Sequence, residues 1–163
     1  MRGKDAKLSF MQTQPENQSS AASPGVEETP FRLLVVYDSD DAKMQAQDAS
    51  DFILNEVGDA VVVEKTFWNV RSLGVLSVQE KAVNQAADAD VILLTLSAQR
   101  PTAELMNWTE SWLKVRRDSE GLLAVIPTGG VKNDAADLVQ YFYETAVSAN
   151  MDFLCRDKHN RLA

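Results

Sequence analysis

One cysteine and one histidine in 163 residues leave the chain without the means for several chemistries. Cys155 has no second thiol for an intrachain disulfide, and with His159 as the lone imidazole no Cys/His set can form a structural zinc site. A Ser-His-Asp or Cys-His mechanism needs an imidazole held in geometry, whereas His159 falls in the polar terminal stretch Asp157 to Ala163. No such triad is expected. Cys155, inside DFLC, reads as a small buried hydrophobe, and this cysteine usage fits a reducing cytoplasm. Long apolar runs are missing too: no stretch approaches the ~18 residues that span a bilayer. Leu8 to Met11, interrupted by Ser9, is too short for the core of a signal peptide. The expectation is a soluble, cytoplasmic protein with no membrane partner. Positive charge is in deficit, with 16 Lys+Arg against 24 Asp+Glu and a net charge of -8. That field repels phosphate backbones, so nucleic acid is not an expected partner.

What is present is ordinary for a folded domain: 45% hydrophobic and 25% charged residues, over a length that suits one domain with tails. Residues 1–30 (MRGKDAKLSFMQTQPENQSSAASPGVEETP) have no period of 2 or 3.6 and read as a disordered tail. Residues 31–156 form the domain, and residues 157–163 a short polar C-terminal tail.

Inside the domain, apolar runs alternate with helical periods. Phe31 to Tyr37 (FRLLVVY), bounded by Pro30 and Asp38, reads as a buried strand. Asp40 or Asp41 is placed to cap a helix that carries Ala42, Ala46, Ala49, Phe52, Ile53 and Val57 on one stripe and stops at Gly58. Ala60 to Trp68 (AVVVEKTFW) begins apolar and then alternates, as an edge strand with one wetter face does. Asn69 to Ser77 connects it to a second helix, Val78 to Ala89, with Val78, Ala82, Gln85, Ala86 and Ala89 inward. Asp90 to Ser97 (DVILLTLS) is the most apolar strand. Pro101 opens a third helix with Leu105, Trp108, Trp112 and Val115 inward and Arg116 and Arg117 at its end. Leu122 to Pro127 (LLAVIP) is a fourth strand, followed by the turn Thr128-Gly129-Gly130. Asn133 or Asp134 caps a fourth helix, Asp134 to Asn150, with Ala135, Leu138, Val139, Phe142, Ala146 and Ala149 inward, and Asp152 to Cys155 is a short last strand.

Strands separated by helices of this length run parallel, with right-handed crossovers. The fold class is therefore α/β: a three-layer α/β/α arrangement around a five-stranded parallel sheet. Continuous apolarity makes strands one, three and four central, and puts the alternating second and the short fifth at the edges. This is the flavodoxin-like, receiver-like order 2-1-3-4-5. No helix follows the fifth strand, so one face near that edge is expected to be thin or to be covered by the N-terminal tail.

Ligands of such a sheet bind at the carboxyl ends of its strands, at the switch point between strands one and three. The candidate ligand-site residues are therefore Asp38, Asp40 and Asp41 after the first strand, and Ser97, Arg100 and Thr102 after the third. Thr128, Gly129 and Gly130 after the fourth complete them. A flavin or nucleotide phosphate would need the glycines of GxGxxG or a Ser/Thr-rich loop here. Carboxylates stand there instead, each opposing a phosphate by ~1 to 4 kcal/mol at effective dielectrics between water and about 20. No cofactor is expected. Thr128-Gly129-Gly130 could still form an anion nest. Trp108 and Trp112 share a helical stripe and read as core, whereas Trp68, at the end of an edge strand, is the first candidate for a protein contact.

FRLLVVYDSDD resembles the start of response-regulator receiver domains, and DVILLTLS their third strand, over residues 31–156. The resemblance implies a magnesium-binding acid pair at Asp38 with Asp40 or Asp41, a phosphoacceptor at Thr95, a switch hydroxyl at Thr128 and a basic group at Arg156. Thr95 departs from the pattern, because a carboxylate is needed there to form the acyl phosphate and complete the metal site. Receiver-type phosphotransfer and its metal are therefore not expected. ADVILLTLS is also similar to the third strand of TIR-type domains, some of which cleave NAD with a downstream glutamate. Glu104 and Glu110 are the acids on the following helix, and neither matches that glutamate's spacing; both fall on its wet side. VVYDS, a Trp in or after the second strand, ADVILL, the Trp-x3-Trp helix and MDFLC are together similar to a group of short bacterial α/β proteins with no assigned activity.

Each of the fold's usual active sites thus lacks a necessary residue. The expected function is a non-catalytic regulatory or protein-interaction module with a protein partner or self-association. The alternative is an enzyme or a small-ligand or nucleotide binder using Asp38, Asp40, Ser97, Arg100, Thr102 and Thr128.

Overall fold

The structure, a computed structural model, describes residues 29–116, 120–129 and 135–156. Strands β1 (Phe31–Tyr37), β2 (Val63–Asn69), β3 (Val91–Leu96), β4 (Leu122–Pro127) and β5 (Asp152–Cys155) form one parallel sheet in the order β2-β1-β3-β4-β5. Helices α1 (Asp40–Val57), α2 (Leu76–Asp88), α3 (Ala103–Val115) and α4 (Ala136–Ala149) connect successive strands. The flavodoxin-like order expected from strand apolarity is the order found. The expectations placed on His159, Arg117, Gly130, Asn133, Asp134 and nearly all of the N-terminal tail lie outside the described residues.

All six residues of β3 are buried, as a parallel strand between two neighbours and two helical layers requires. In register, Leu33 lies beside Val91 and Val91 beside Leu122, while Thr95 sits between Tyr37 and Ile126. Because side chains alternate, each strand feeds two cores. Leu34, Val36, Ile92, Leu94, Leu96, Leu123 and Val125 meet Leu105, Trp108 and Trp112 of α3 and Leu138 and Phe142 of α4. Leu33, Val35, Val91, Leu93 and Ala124 meet Ala46 of α1, with Ala49, Ile53 and Leu54 partly buried around them. This second face is thin toward β5, where Leu122, Ile126 and Leu154 are only partly buried.

Several local expectations are corrected. The N-cap of α1 is Ser39, whose extended backbone lets its Oγ accept the Ala42 N–H at 3.1 Å. Asp40 and Asp41 occupy the exposed first turn, where their charge still favours the positive helix end. Phe52 is 60% exposed. The inward positions of α1 are small, Ala42, Ala46 and Ser50, which lets the helix lie close to the sheet; the Ser50 hydroxyl satisfies itself on Gln47 O at 3.0 Å. β2 starts at Val63, later than the apolar run suggests, because Val61 and Val62 precede the ladder and stand exposed. The connection after it holds a 3-10 helix, Val70–Gly74, that buries Val70 and Leu73, and α2 begins at Leu76. Val115 ends α3 on its wet side, 51% exposed. In α4, Thr145 is buried where Val139 is only half-buried, its hydroxyl returning to Tyr141 O at 2.9 Å.

Candidate functional site

The crest formed by the carboxyl ends of β1, β3 and β4 brings Asp38, Ser97 and Thr128 to one place, because the parallel register aligns the strand ends. Asp38 crosses the switch point. Its two carboxylate oxygens accept the Ser97 N–H, both at 2.9 Å; one also accepts the Ser97 hydroxyl and the other the Ala98 N–H, each at 3.0 Å. These are charge-assisted bonds between loops 59 residues apart in sequence, and they tie the end of β1 to the end of β3. Chemically, the amides that would greet an anionic ligand already have an anion.

The remaining candidates have separate tasks. Asp40 and Asp41 face solvent in the first turn of α1. Thr102 caps α3, its Oγ1 accepting the Leu105 N–H at 3.3 Å. Arg100 turns away to an exposed ion pair with Asp137 of α4 at 3.2 Å, an interaction worth ~0 to 1 kcal/mol. The Thr128 N–H donates to Leu96 O at 2.8 Å, continuing the ladder, and Gly129 follows in a half-buried bend; Gly130 lies outside the described residues. The structure thus brings Asp38 and Ser97 together, with Thr128 beside them, and sends Arg100 and Thr102 to other work. Two hydroxyls near the crest, Thr95 Oγ1 and Thr128 Oγ1, are buried without a hydrogen-bond partner. Thr95 itself is fully buried. Among the described residues no group of three His, Cys, Asp or Glu side chains is placed to hold a metal ion. None of their helices is long and apolar enough to cross a membrane.

Trp68 is half-buried against the larger core, and its indole N–H donates to Gln85 Oε1 at 2.7 Å. Glu104 and Glu110 are exposed on α3, as their position off the apolar stripe implies. Cys155 is a buried thiol in β5.

Two features escaped the sequence. The first is the reach of Arg116: expected at the end of α3 and found as its C-cap, it sends its guanidinium into the carboxyl end of α2. One Nη donates to Ala86 O and Ala89 O, each at 3.0 Å, and the other to Glu120 O at 3.3 Å. Burial lowers its pKa from the ordinary arginine value, while Asp90 and Asp88 pull the other way; the group stays a cation. Gly121 lies against it, so a Cβ there would meet the guanidinium and displace it. The second is a cavity of about 500 Å³ at the opposite end of the sheet, between α2 and the amino halves of β1 and β2. Arg32, Glu64 and Thr66 form its floor and Glu80, Lys81, Asn84 and Asp88 its roof. Its one sequence signal is that Arg32 interrupts the apolar run of β1 while Glu64 opens the polar stretch Glu64-Lys65-Thr66 of β2, and the register sets Arg32 and Glu64 side by side, ion-paired at 3.1 Å.

No protein-family model matches the chain, and no curated protein matches it.

Proposed function

We propose that the chain is a non-catalytic regulatory module of receiver-like fold that works by binding protein. The observation that carries this reading is the saturation of Asp38: Ser97 and Ala98 occupy both of its oxygens, so the switch point holds its own anion where a cofactor phosphate or metal-bound phosphoryl group would need to enter. Thr95, buried in the position that the receiver resemblance assigns to a phosphoacceptor, supports the same conclusion. A hydroxyl cannot supply the carboxylate that an acyl phosphate requires. A cytoplasmic setting rests on the cysteine usage and on the likeness to short bacterial α/β proteins.

One observation favours a second reading, a small-ligand site at the crest: the buried hydroxyls of Thr95 and Thr128 lack partners. Thermal melts separate the two. The module reading expects an unchanged melting temperature with magnesium plus acetyl phosphate, FMN, NAD or ATP, and expects self-association or a specific protein partner in solution. A rise of several degrees with any of those small molecules overturns it.

A further inference from the structure

We propose that the outer edge of β2 and the groove between β2 and α2 together receive an extended peptide segment of a partner protein, one that carries both acidic and basic side chains. The proposal rests on the module reading and names the surface through which it acts.

The first observation is the direction of the backbone groups in β2. The Phe31 N–H donates to Val62 O at 2.7 Å while Phe31 lies opposite Val63. In a parallel ladder a residue bonds the two residues that flank its partner. The peptide groups of Val62, Glu64, Thr66 and Trp68 therefore face β1, and those of Val63, Lys65 and Phe67 point out of the sheet. β2 is the last strand in the order, and among the described residues nothing pairs with that edge. A row of alternate unpaired N–H and C=O groups is a template for one more strand.

The second observation is the cavity. Register puts Arg32 beside Glu64 and Leu34 beside Thr66, so the polar floor lies on the α2 side of the sheet. The face of α2 above it is polar as well. Helix and strands therefore stand apart over this stretch instead of closing on an apolar seam. Gln85, which lines the groove, accepts the Trp68 indole N–H, and among the described residues no further strand lies beyond β2. A strand added to that edge would direct every second side chain into the groove. Its volume, about 500 Å³, lies in the range of specific ligand sites.

The lining decides the chemistry of the occupant. Arg32 is paired with Glu64, whereas Lys81 and Glu80 on the roof make no ion pair among the described residues. Cations and carboxylates are interspersed, so neither a polyanion nor an apolar segment is matched, and a peptide with an acid and a base two residues apart, so that both enter the groove, is. On the opposite face Lys65 lies over the Phe67 ring at 5.7 Å, and this charge on the rim discourages pairing with a second copy of the same strand.

The test is selection from a library of displayed random octapeptides on the full chain, followed by amide hydrogen exchange with the selected peptide. The expected result is enrichment of sequences with an acid and a base two residues apart. Exchange should slow about tenfold at Val63, Lys65 and Phe67, while Glu64 and Thr66, already bonded to β1, do not change. Lys81→Glu should weaken the peptide about tenfold. Lys65→Pro, which removes an outward N–H together with the rim ammonium and leaves the bonds to β1 in place, should abolish binding with the fold retained by circular dichroism. A peptide that binds without slowing the outward amides overturns the proposal, as does an empty selection. A free amino acid that raises the melting temperature while those amides stay unprotected also overturns it, in favour of a small-molecule cavity. A protein partner that binds Lys81→Glu and Lys65→Pro as tightly as the parent chain removes this groove but leaves the module reading intact. Only a response to the phosphate or metal ligands removes both.

Discussion

The two faces of the sheet differ in depth. On one side α2, α3 and α4 cover large side chains: Trp108 and Trp112 meet edge to face at 6.0 Å, and Phe142 is fully buried. On the other, α1 lies on alanines and leaves Phe52 and Met44 to solvent, with Leu122, Ile126 and Leu154 only partly covered. Tight packing of large rings confers stability on the first face. The second face, with little volume to lose, tolerates change, and Thr95 beneath the crest belongs to it by its register with Tyr37.

Replacing one buried ring tests the contrast most severely. Phe142→Ala should remove ~3 to 5 kcal/mol in urea denaturation, whereas Ile53→Ala on the thin face should remove about 1 kcal/mol. Equal losses would erase the distinction. Arg116→Ala, which strands the α2 carbonyls on the deep side, should cost about 1 to 3 kcal/mol, and Gly121→Ala a comparable amount by displacing the same guanidinium. On the thin side Ser39→Ala should cost about 1 kcal/mol and Asp40→Ala only a few tenths, because Ser39 makes the cap bond; the reverse ranking would restore an aspartate cap. Phe52→Gln should change stability by less than about 0.5 kcal/mol.

The smallest effect is a pH dependence. Burial raises the Tyr141 pKa on the deep face, and Glu110 adds to it, so the folded state favours the neutral phenol. That contribution is complete below the unfolded value of about 10 and is lost as pH rises through the higher folded value. Denaturation midpoints taken below and above that range should fall more for the parent than for Tyr141→Phe.

Much of the fold was legible. DVILLTLS had to be central because a run with no polar face needs cover on both sides, and AVVVEKTFW had to be at an edge because it alternates. The candidate site was legible only in location. The strand order placed Asp38, Ser97 and Thr128 at one crest, but nothing local distinguished an aspartate that bonds the opposite loop from one that caps its own helix. Ser39 and Asp40 are both good caps by type, and the choice fell to Ser39 once Asp38 had turned to Ser97. Phe52 was misplaced because only one narrow stripe of small residues, Ala42, Ala46 and Ser50, reaches inward, and Phe52 lies beside it.

Composition and periodicity by themselves determined the layers, the parallel strands and their order, since each depends on which residue types recur at which spacing. The tertiary structure alone decided that Asp38 would be bound by Ser97 and Ala98, that Arg116 would close α2, and that α2 would stand off a polar floor beside an open strand edge. Those outcomes depend on register between segments far apart in the chain, and hydrogen-bond partners at such separations exist only once the strands have paired.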